Sequence, residues 1–288
     1  MAGDAVILRF FDQSDLLIGL GFEPVESEKL WHHTLDLVSI APLSIASGDF
    51  APRLELTGDL HETLAALSEM SFGPFDWTAE EISAYRTEME HTLRPAETPT
   101  EGISPFEMVL ALRDLCPRDT IATTDVGSVK FITTQAWKTY EPLTFIESNG
   151  FSTMGYALPA AMAARLEFPD RPVLCTVGDG GFAMAFADLE TCVRERINFV
   201  TVVFNDSALS LIRFIQERKE LPEYGVQFGS VDFSAVAAGM GAWSRRVQTL
   251  EELEEAVRAG LEEDRPAVID AVIDPTEYRQ HAAPPEAR

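Results

Sequence analysis

The chain has 288 residues, with 22 basic and 47 acidic side chains and a formal net charge of −25. That charge repels nucleic-acid backbones and anionic lipid, so neither is an expected partner, and any bound phosphate must be held through a metal, backbone N–H groups or a few local cations. The apolar share of 46% and the charged share of 24% are ordinary for a globular protein, and the length allows one large domain or two smaller ones.

Met1–Asp15 lacks a basic start followed by an apolar block, which argues against a secretory signal. No apolar run approaches the about 18 residues that cross a bilayer. A cytoplasmic protein with no membrane partner is the expectation. Cys116, Cys175 and Cys192 show no C-x-x-C spacing and are expected as buried, reduced thiols.

In chain order, Asp15–Phe22, Leu35–Ile40 and Leu54–Asp59 are short apolar runs expected as strands, and His61–Glu69 is expected as a helix. Met1–Phe22 is expected to hold one strand at most. Residues 1–70 therefore form a partial α/β domain. Residues 71–102 hold an acid-rich helix, Thr78–Leu93, and a Pro/Thr linker.

From Ile103 the pattern alternates. Ser104 caps a helix with Pro105 and Glu107 in its first turn. Strands are expected at 120–124, 143–146, 173–177, 199–204 and 267–273, with helices at 128–138, 156–166, 185–195, 208–220, 233–240 and 251–261. Apolar strands separated by helices imply a parallel sheet covered on both faces, over residues 103–275, with 276–288 as a tail. In such sheets ligands sit at the carboxyl ends of the strands.

Two strand ends carry unusual chemistry. Val177-Gly-Asp-Gly-Gly-Phe182 takes an apolar strand through a glycine-rich turn into a helix, a pattern suited to phosphate. The aspartate conflicts with an anion unless a cation lies between, and an oxygen-seeking Mg2+ resolves the conflict. Phe204-Asn-Asp-Ser-Ala208 ends the next strand and supplies Asp206, 27 residues after Asp179. A right-handed crossover brings neighbouring strand ends together, so the two aspartates can share one ion.

Gly178-Asp-Gly180 followed at this spacing by Asn205-Asp206 resembles the thiamine-diphosphate motif of pyruvate-type decarboxylases and carboligases. Ser148–Ala161, containing Ser152-Thr-Met-Gly155, resembles their segment beneath the aminopyrimidine ring. Thr124-Asp-Val-Gly127 resembles the loop that meets the diphosphate. Residues 103–275 are similar to their whole diphosphate-binding domain, and residues 15–70 to the end of their middle domain. The nearest branch is that of acetolactate synthase and benzaldehyde lyase.

The resemblance implies roles. Asp179 and Asp206 would ligate Mg2+ with the Ala208 carbonyl, although most relatives carry Asn at the second position. Backbone groups of Gly180 and Gly181 would hold the diphosphate. Val126, Gly127, Ser128, Thr153, Gly178 and Leu209 complete the expected cofactor contacts. Met154 would be the apolar wedge that bends the cofactor, and the Ser152 carbonyl would accept from its 4′-amino group. Ile212 stands where some decarboxylases carry an acid that handles protons, which favours carboligation or a 2-hydroxyacyl lyase reaction over simple aldehyde release. Leu209, Leu211 and Ile215 would line the same mouth, or equally fill core at helical spacing. No histidine falls in a motif.

The same resemblance implies a glutamate against N1′ of the aminopyrimidine, carried by a separate pyrimidine-binding domain. Nothing before residue 15 could hold one. The expectation is a split enzyme acting on a 2-oxo acid such as pyruvate, in which a partner subunit supplies the glutamate, most simply as a hetero-oligomer of two plus two. A non-catalytic interaction subunit is the alternative. A Mg2+-dependent phosphohydrolase using Asp179 fits worse, because Gly180-Gly181-Phe182 offers no second aspartate.

Overall fold

A computed structural model of the chain describes residues 3–23, 36–46, 50–74, 76–96, 99 and 101–281. These fall into two compact units, residues 3–91 and residue 92 onward. Leu35 and the histidines at 32 and 33 lie outside the described residues. Among the described residues no helix is long and apolar enough to cross a membrane.

The first unit contains α1 (Asp4–Asp12), β1 (Leu17–Leu20), β2 (Leu37–Ala41), β3 (Leu54–Thr57), α2 (Leu60–Ser68) and α3 (Ala79–Leu93), the last reaching the start of the second unit. Its three strands form a parallel sheet in the order β1-β2-β3. Ile18, Leu20, Leu54 and Leu56 leave much of their apolar surface exposed on it. The helix α1 was not expected, since Met1–Phe22 was read as holding one strand at most. It has no side-chain cap to announce it. What fixes it is tertiary: Phe10 packs on Trp77 and Tyr85, with ring centroids 4.8 and 4.9 Å away.

The second unit runs through α4 (Pro105–Leu115), β4 (Ile121–Thr124), α5 (Ser128–Ala136), β5 (Phe145–Glu147), α6 (Ala157–Glu167), β6 (Val173–Gly178), α7 (Asp179–Ala185), α8 (Asp188–Glu195), β7 (Val200–Asn205), α9 (Ser210–Arg218), α10 (Phe233–Gly239), β8 (Trp243–Val247), α11 (Leu250–Glu262), β9 (Ala267–Val272), a 3-10 turn (Pro275–Glu277) and α12 (Tyr278–His281). Its six strands are all parallel, in the order β5-β4-β6-β7-β9-β8. The chain is thus α/β, with a parallel sheet between helices. The middle strands β6 and β7 are almost wholly buried, which matches their mainly apolar, β-branched sequences, broken only by Thr176, Thr201 and Asn205. Leu158 of α6, Leu189 of α8 and Phe233 of α10 pack with Cys175, Val177 and Val203 into one core cluster. The helices α4, α5 and α11 pack together around the sheet's other contacts. Ser104 caps α4 as expected, accepting from Glu107 N at 3.2 Å. All three cysteines are free and buried.

Three expectations need correction. The helix expected over 185–195 is α8, which starts at Asp188, and it is preceded by an unexpected helix, α7, that starts at Asp179 inside the glycine-rich segment expected as a turn. The strand β8 was missed because Arg245 and Arg246 interrupt its apolar pattern; it lies at the sheet edge, where half-buried positions tolerate charge. The strand expected from 143 starts at Phe145, because Leu143 adopts a left-handed backbone (φ 57°) and points to solvent.

Residues 276–281, expected as tail, are folded and fastened. The Glu277 carboxylate accepts from Ser104 Oγ at 2.6 Å and from the Phe106 N–H. Burial pushes this carboxyl up from 4.5 to about 7, against the pull of those two hydrogen bonds. A raised folded pKa means that Glu277 contributes stability fully below its unfolded pKa and loses it as pH rises through about 7. Glu277→Gln, which stays neutral, should therefore gain on the wild type in denaturant midpoint as pH is raised from about 5 to about 8. A difference that does not change with pH would remove the ionisation argument.

Candidate functional site

The site grows from the ends of two adjoining strands. Gly178, the last residue of β6, pairs with Phe204 of β7, so the residues that follow each leave the sheet side by side. Asp179 is the first residue of α7. On β7, side chains alternate between faces. Asn205 is drawn into the sheet, donating through Nδ2 to Asp270 Oδ1 at 2.8 Å and Val231 O at 3.0 Å. Asp206 is left to face the opening. The loop beyond it turns through Ser207 in a left-handed conformation (φ 58°). Two backbone bonds fasten that loop, Leu209 N to Val226 O at 2.7 Å and Phe228 N to Ser207 O at 3.1 Å. Neither uses the Ala208 carbonyl.

The two acids are in an unfavourable setting. Asp179 is only 3% exposed. Its Oδ1 accepts from Gly180 N at 2.6 Å, and its Oδ2 has no hydrogen-bond partner among the described residues. Burial first, and the charge of Asp206 second, push the Asp179 carboxyl up to about 7. Burial also raises Asp206, although the Ser210 hydroxyl donates to it and Arg213 is near. A buried and a half-buried carboxylate side by side, one with an oxygen unpaired among the described residues, suit a bound cation. Among the described residues no three Asp, Glu, His or Cys side chains converge on a metal position. The aspartates are therefore a partial ligand set that needs oxygens from elsewhere.

A cavity of 260 Å3 opens at these strand ends. The loop after β4 and the start of α5 give it Val126, Gly127 and Ser128; the loop before α6 gives Ser152 and Met154; the β6–α7 corner gives Gly178, Asp179, Gly180 and Gly181; the β7–α9 connection gives Asp206, Ala208, Leu209, Leu211 and Ile212. Sequence reasoning named all of these. It also named Thr153 and Ile215, which do not border the cavity; the Thr153 hydroxyl donates to Met154 O at 3.0 Å. It missed Val129, Phe204, Ser210 and Tyr278. The first three flank named positions, whereas Tyr278 comes from the C-terminal segment and has no local signal. Its phenol is buried and its pKa is raised, first by that burial and then by the charge of Asp206.

Close approach explains two of the glycines. A Cβ on Gly180 would lie 3.0 Å from the ends of the Met154 and Leu209 side chains, which both rest over this corner. A Cβ on Gly181 would lie 1.8 Å from Asp125 Oδ2. The helices α5, α7 and α9 all begin at the cavity without a side-chain cap, so their first N–H groups face it unpaired by the helix. No Lys or Arg lines the cavity among the described residues. Lys130 instead reaches the next loop, donating to Ser148 O at 2.6 Å and Asn149 Oδ1 at 2.7 Å. At the mouth Ile212 is 45% exposed. A second cavity, of 310 Å3, lies behind Asp206 beside Arg246 and Asp274. It contains neither Asp179 nor a glycine, and its Arg246 is paired with Asp270.

Comparison with known proteins shows which family the chain resembles. Residues 125–271 match the family described as thiamine pyrophosphate enzyme, C-terminal TPP binding domain. An acetolactate synthase of Bacillus subtilis is 32% identical over 91% of this chain and 47% of its own length. The catabolic acetolactate synthase of Raoultella terrigena is 33% identical over 95% of this chain and 49% of its own length. Pyruvate oxidase of Lactiplantibacillus plantarum is 30% identical over 76% of this chain and 37% of its own length. The chain thus spans about half the length, or less, of these relatives.

The two glycines should respond differently to a methyl group. Gly181→Ala must displace a buried carboxylate and should cost roughly 1–3 kcal/mol of stability. Gly180→Ala meets only the flexible ends of Met154 and Leu209 and should cost less while filling the cavity corner. Urea denaturation of the two variants measures the difference, and equal costs would contradict the contact geometry.

Proposed function

The chain belongs to the thiamine-diphosphate-dependent enzymes, in the acetolactate synthase branch, and carries their C-terminal cofactor-binding domain; from that membership we propose that it is a component of a carboligase or decarboxylase acting on a 2-oxo acid such as pyruvate. One observation carries the reading most directly, the buried Asp179 Oδ2 that has no hydrogen-bond partner among the described residues and lies within the field of Asp206. The residues fit a Mg2+–diphosphate group. Two carboxylates and the Ala208 carbonyl would hold the ion, which would in turn hold the diphosphate.

The diphosphate would lie against the backbone at Gly180 and Gly181 and at Val126–Ser128, where the starts of α7 and α5 present N–H groups. This is how an acidic protein without a basic cavity lining would hold an anion. Met154, resting over Gly180, would wedge the cofactor into its bent shape, and the Ser152 carbonyl would orient the amino group of its ring. When bound, thiamine diphosphate supplies a nucleophilic carbon that adds to the carbonyl of a 2-oxo acid and takes up the electron pair freed as CO2 leaves. Leu209, Leu211 and Ile212 would keep water from that end of the cavity. With Ile212 rather than an acid there, no side chain at that position delivers a proton that would release an aldehyde. That favours carbon–carbon bond formation with a second carbonyl compound.

Asp179 and Asp206 are the acidic side chains of the lining, and this reading gives both to the metal. We assign the glutamate that engages the aminopyrimidine to a pyrimidine-binding partner subunit, in an assembly of two plus two. Pyruvate consumption by the chain together with such a partner tests that assignment; an equal rate from the chain alone would defeat it.

Asp179→Ala and Asp206→Ala should each abolish Mg2+-dependent binding of thiamine diphosphate in calorimetry, with the fold retained. Asp206→Asn should be mild, because an amide oxygen still coordinates. Unchanged cofactor affinity in both alanine variants would contradict the metal assignment. Met154→Ala should keep its affinity for Mg2+ and inorganic pyrophosphate, while turnover by the assembled enzyme falls by about tenfold or more as the bent geometry is lost. Full turnover would give the wedge to another residue.

A further inference from the structure

Asp125 is fully buried at the end of β4 and does not border the cavity. Its own N–H donates to Thr176 O at 2.9 Å, which ties it to β6 in the middle of the sheet. Its carboxylate accepts three consecutive backbone N–H groups. Gly155 N donates to Oδ2 at 2.9 Å, and Tyr156 N and Ala157 N donate to Oδ1 at 2.8 and 3.2 Å. These are the residues directly after Met154, and they lead into α6. That helix has Tyr156 at its cap position and no cap from its own side chain. Asp125 therefore caps it from another strand, with a charge of the sign that a helix start favours.

The same carboxylate touches the opposite wall. Its Oδ2 occupies the space that a Cβ on Gly181 would need. One side chain thus joins the loop that carries Met154 to the corner that carries Gly180 and Gly181. Gly155 takes a left-handed turn (φ 81°) directly between Met154 and the clamped N–H groups. The place of the Met154 side chain over Gly180 is therefore set by where that turn is held.

We propose that Asp125 is a positioning residue, which fixes the Met154 segment against the Gly180–Gly181 corner and so sets the fit of the cofactor's ring end. The inference rests on the cofactor reading above. It concerns the ring end only, because Asp125 leaves the metal and the diphosphate to other groups.

Calorimetry on the full chain with Mg2+ tests it with two probes, thiamine diphosphate and inorganic pyrophosphate. If the wild-type chain binds neither, the cofactor reading falls and this inference falls with it. Asp125→Asn keeps its shape against Gly181 but turns one acceptor into a donor facing N–H groups. Thiamine diphosphate should then bind roughly tenfold more weakly, the scale of one mispaired buried hydrogen bond, with pyrophosphate affinity unchanged. In a Met154→Ala background the same change should add little, because it acts through Met154. Parallel losses for both probes, no loss for either, or additive losses in the double variant would overturn the proposal. So would an Asp125→Asn chain without a cooperative thermal transition, since Asp125 would then belong to the fold alone.

Discussion

Two carboxylates at adjoining strand ends, Asp179 buried and Asp206 half-buried, set the terms for everything around them. Asp179 and Asp206 emerge from paired positions of β6 and β7, and burial raises both. Without a counter-charge the pair is a cost to the fold, since each ion loses water and gains a like neighbour. The surroundings relieve it in part. Ser210 and Arg213 ease Asp206, and the backbone at Gly180, Ser207 and Asp206 eases Asp179, yet Oδ2 of Asp179 has no hydrogen-bond partner among the described residues. A divalent cation would turn the same arrangement into a binding site.

The rest of the second unit follows from that constraint. A parallel sheet is the architecture that delivers several strand ends, each followed by a helix start, to one edge. Here the uncapped starts of α5, α7 and α9 meet there. Glycines remove the side chains that would block the approach, and Asp125 occupies the space left at Gly181. The net charge of −25 is compatible with phosphate chemistry on these terms, because attraction would come from backbone dipoles and the proposed metal rather than from lysines.

How much of this could be read from the sequence depended on the range of the interactions. β6 and β7 were legible because strands buried on both faces are continuously apolar, and their acids because each ends such a run. The β8 strand was not, since Arg245 and Arg246 look like loop residues until the edge position is known. The start of α7 at Asp179 was hidden by Gly180 and Gly181, which locally favour a turn but are required by Met154, Leu209 and Asp125 across space. Tyr278 reaches the cavity from a C-terminal segment that Glu277 fastens to the start of α4 and Arg279 to Glu217, both far away in sequence. Likewise, the partners of Asp125 lie some 30 residues on, and nothing in Thr124-Asp-Val-Gly127 points to them. Chemistry concentrated in a short motif was visible, and geometry that depends on distant backbone was not.

The metal proposed between the strand ends can be reached directly by one measurement. Crystals of the chain grown with thiamine diphosphate and Mn2+ in place of Mg2+ would reveal the ion by its anomalous scattering. The account expects a single peak about 2.1 Å from the carboxylates of Asp179 and Asp206 and from the Ala208 carbonyl, shared with the diphosphate. Bound cofactor with the metal held elsewhere, and with Asp179 Oδ2 still unpartnered, would contradict it.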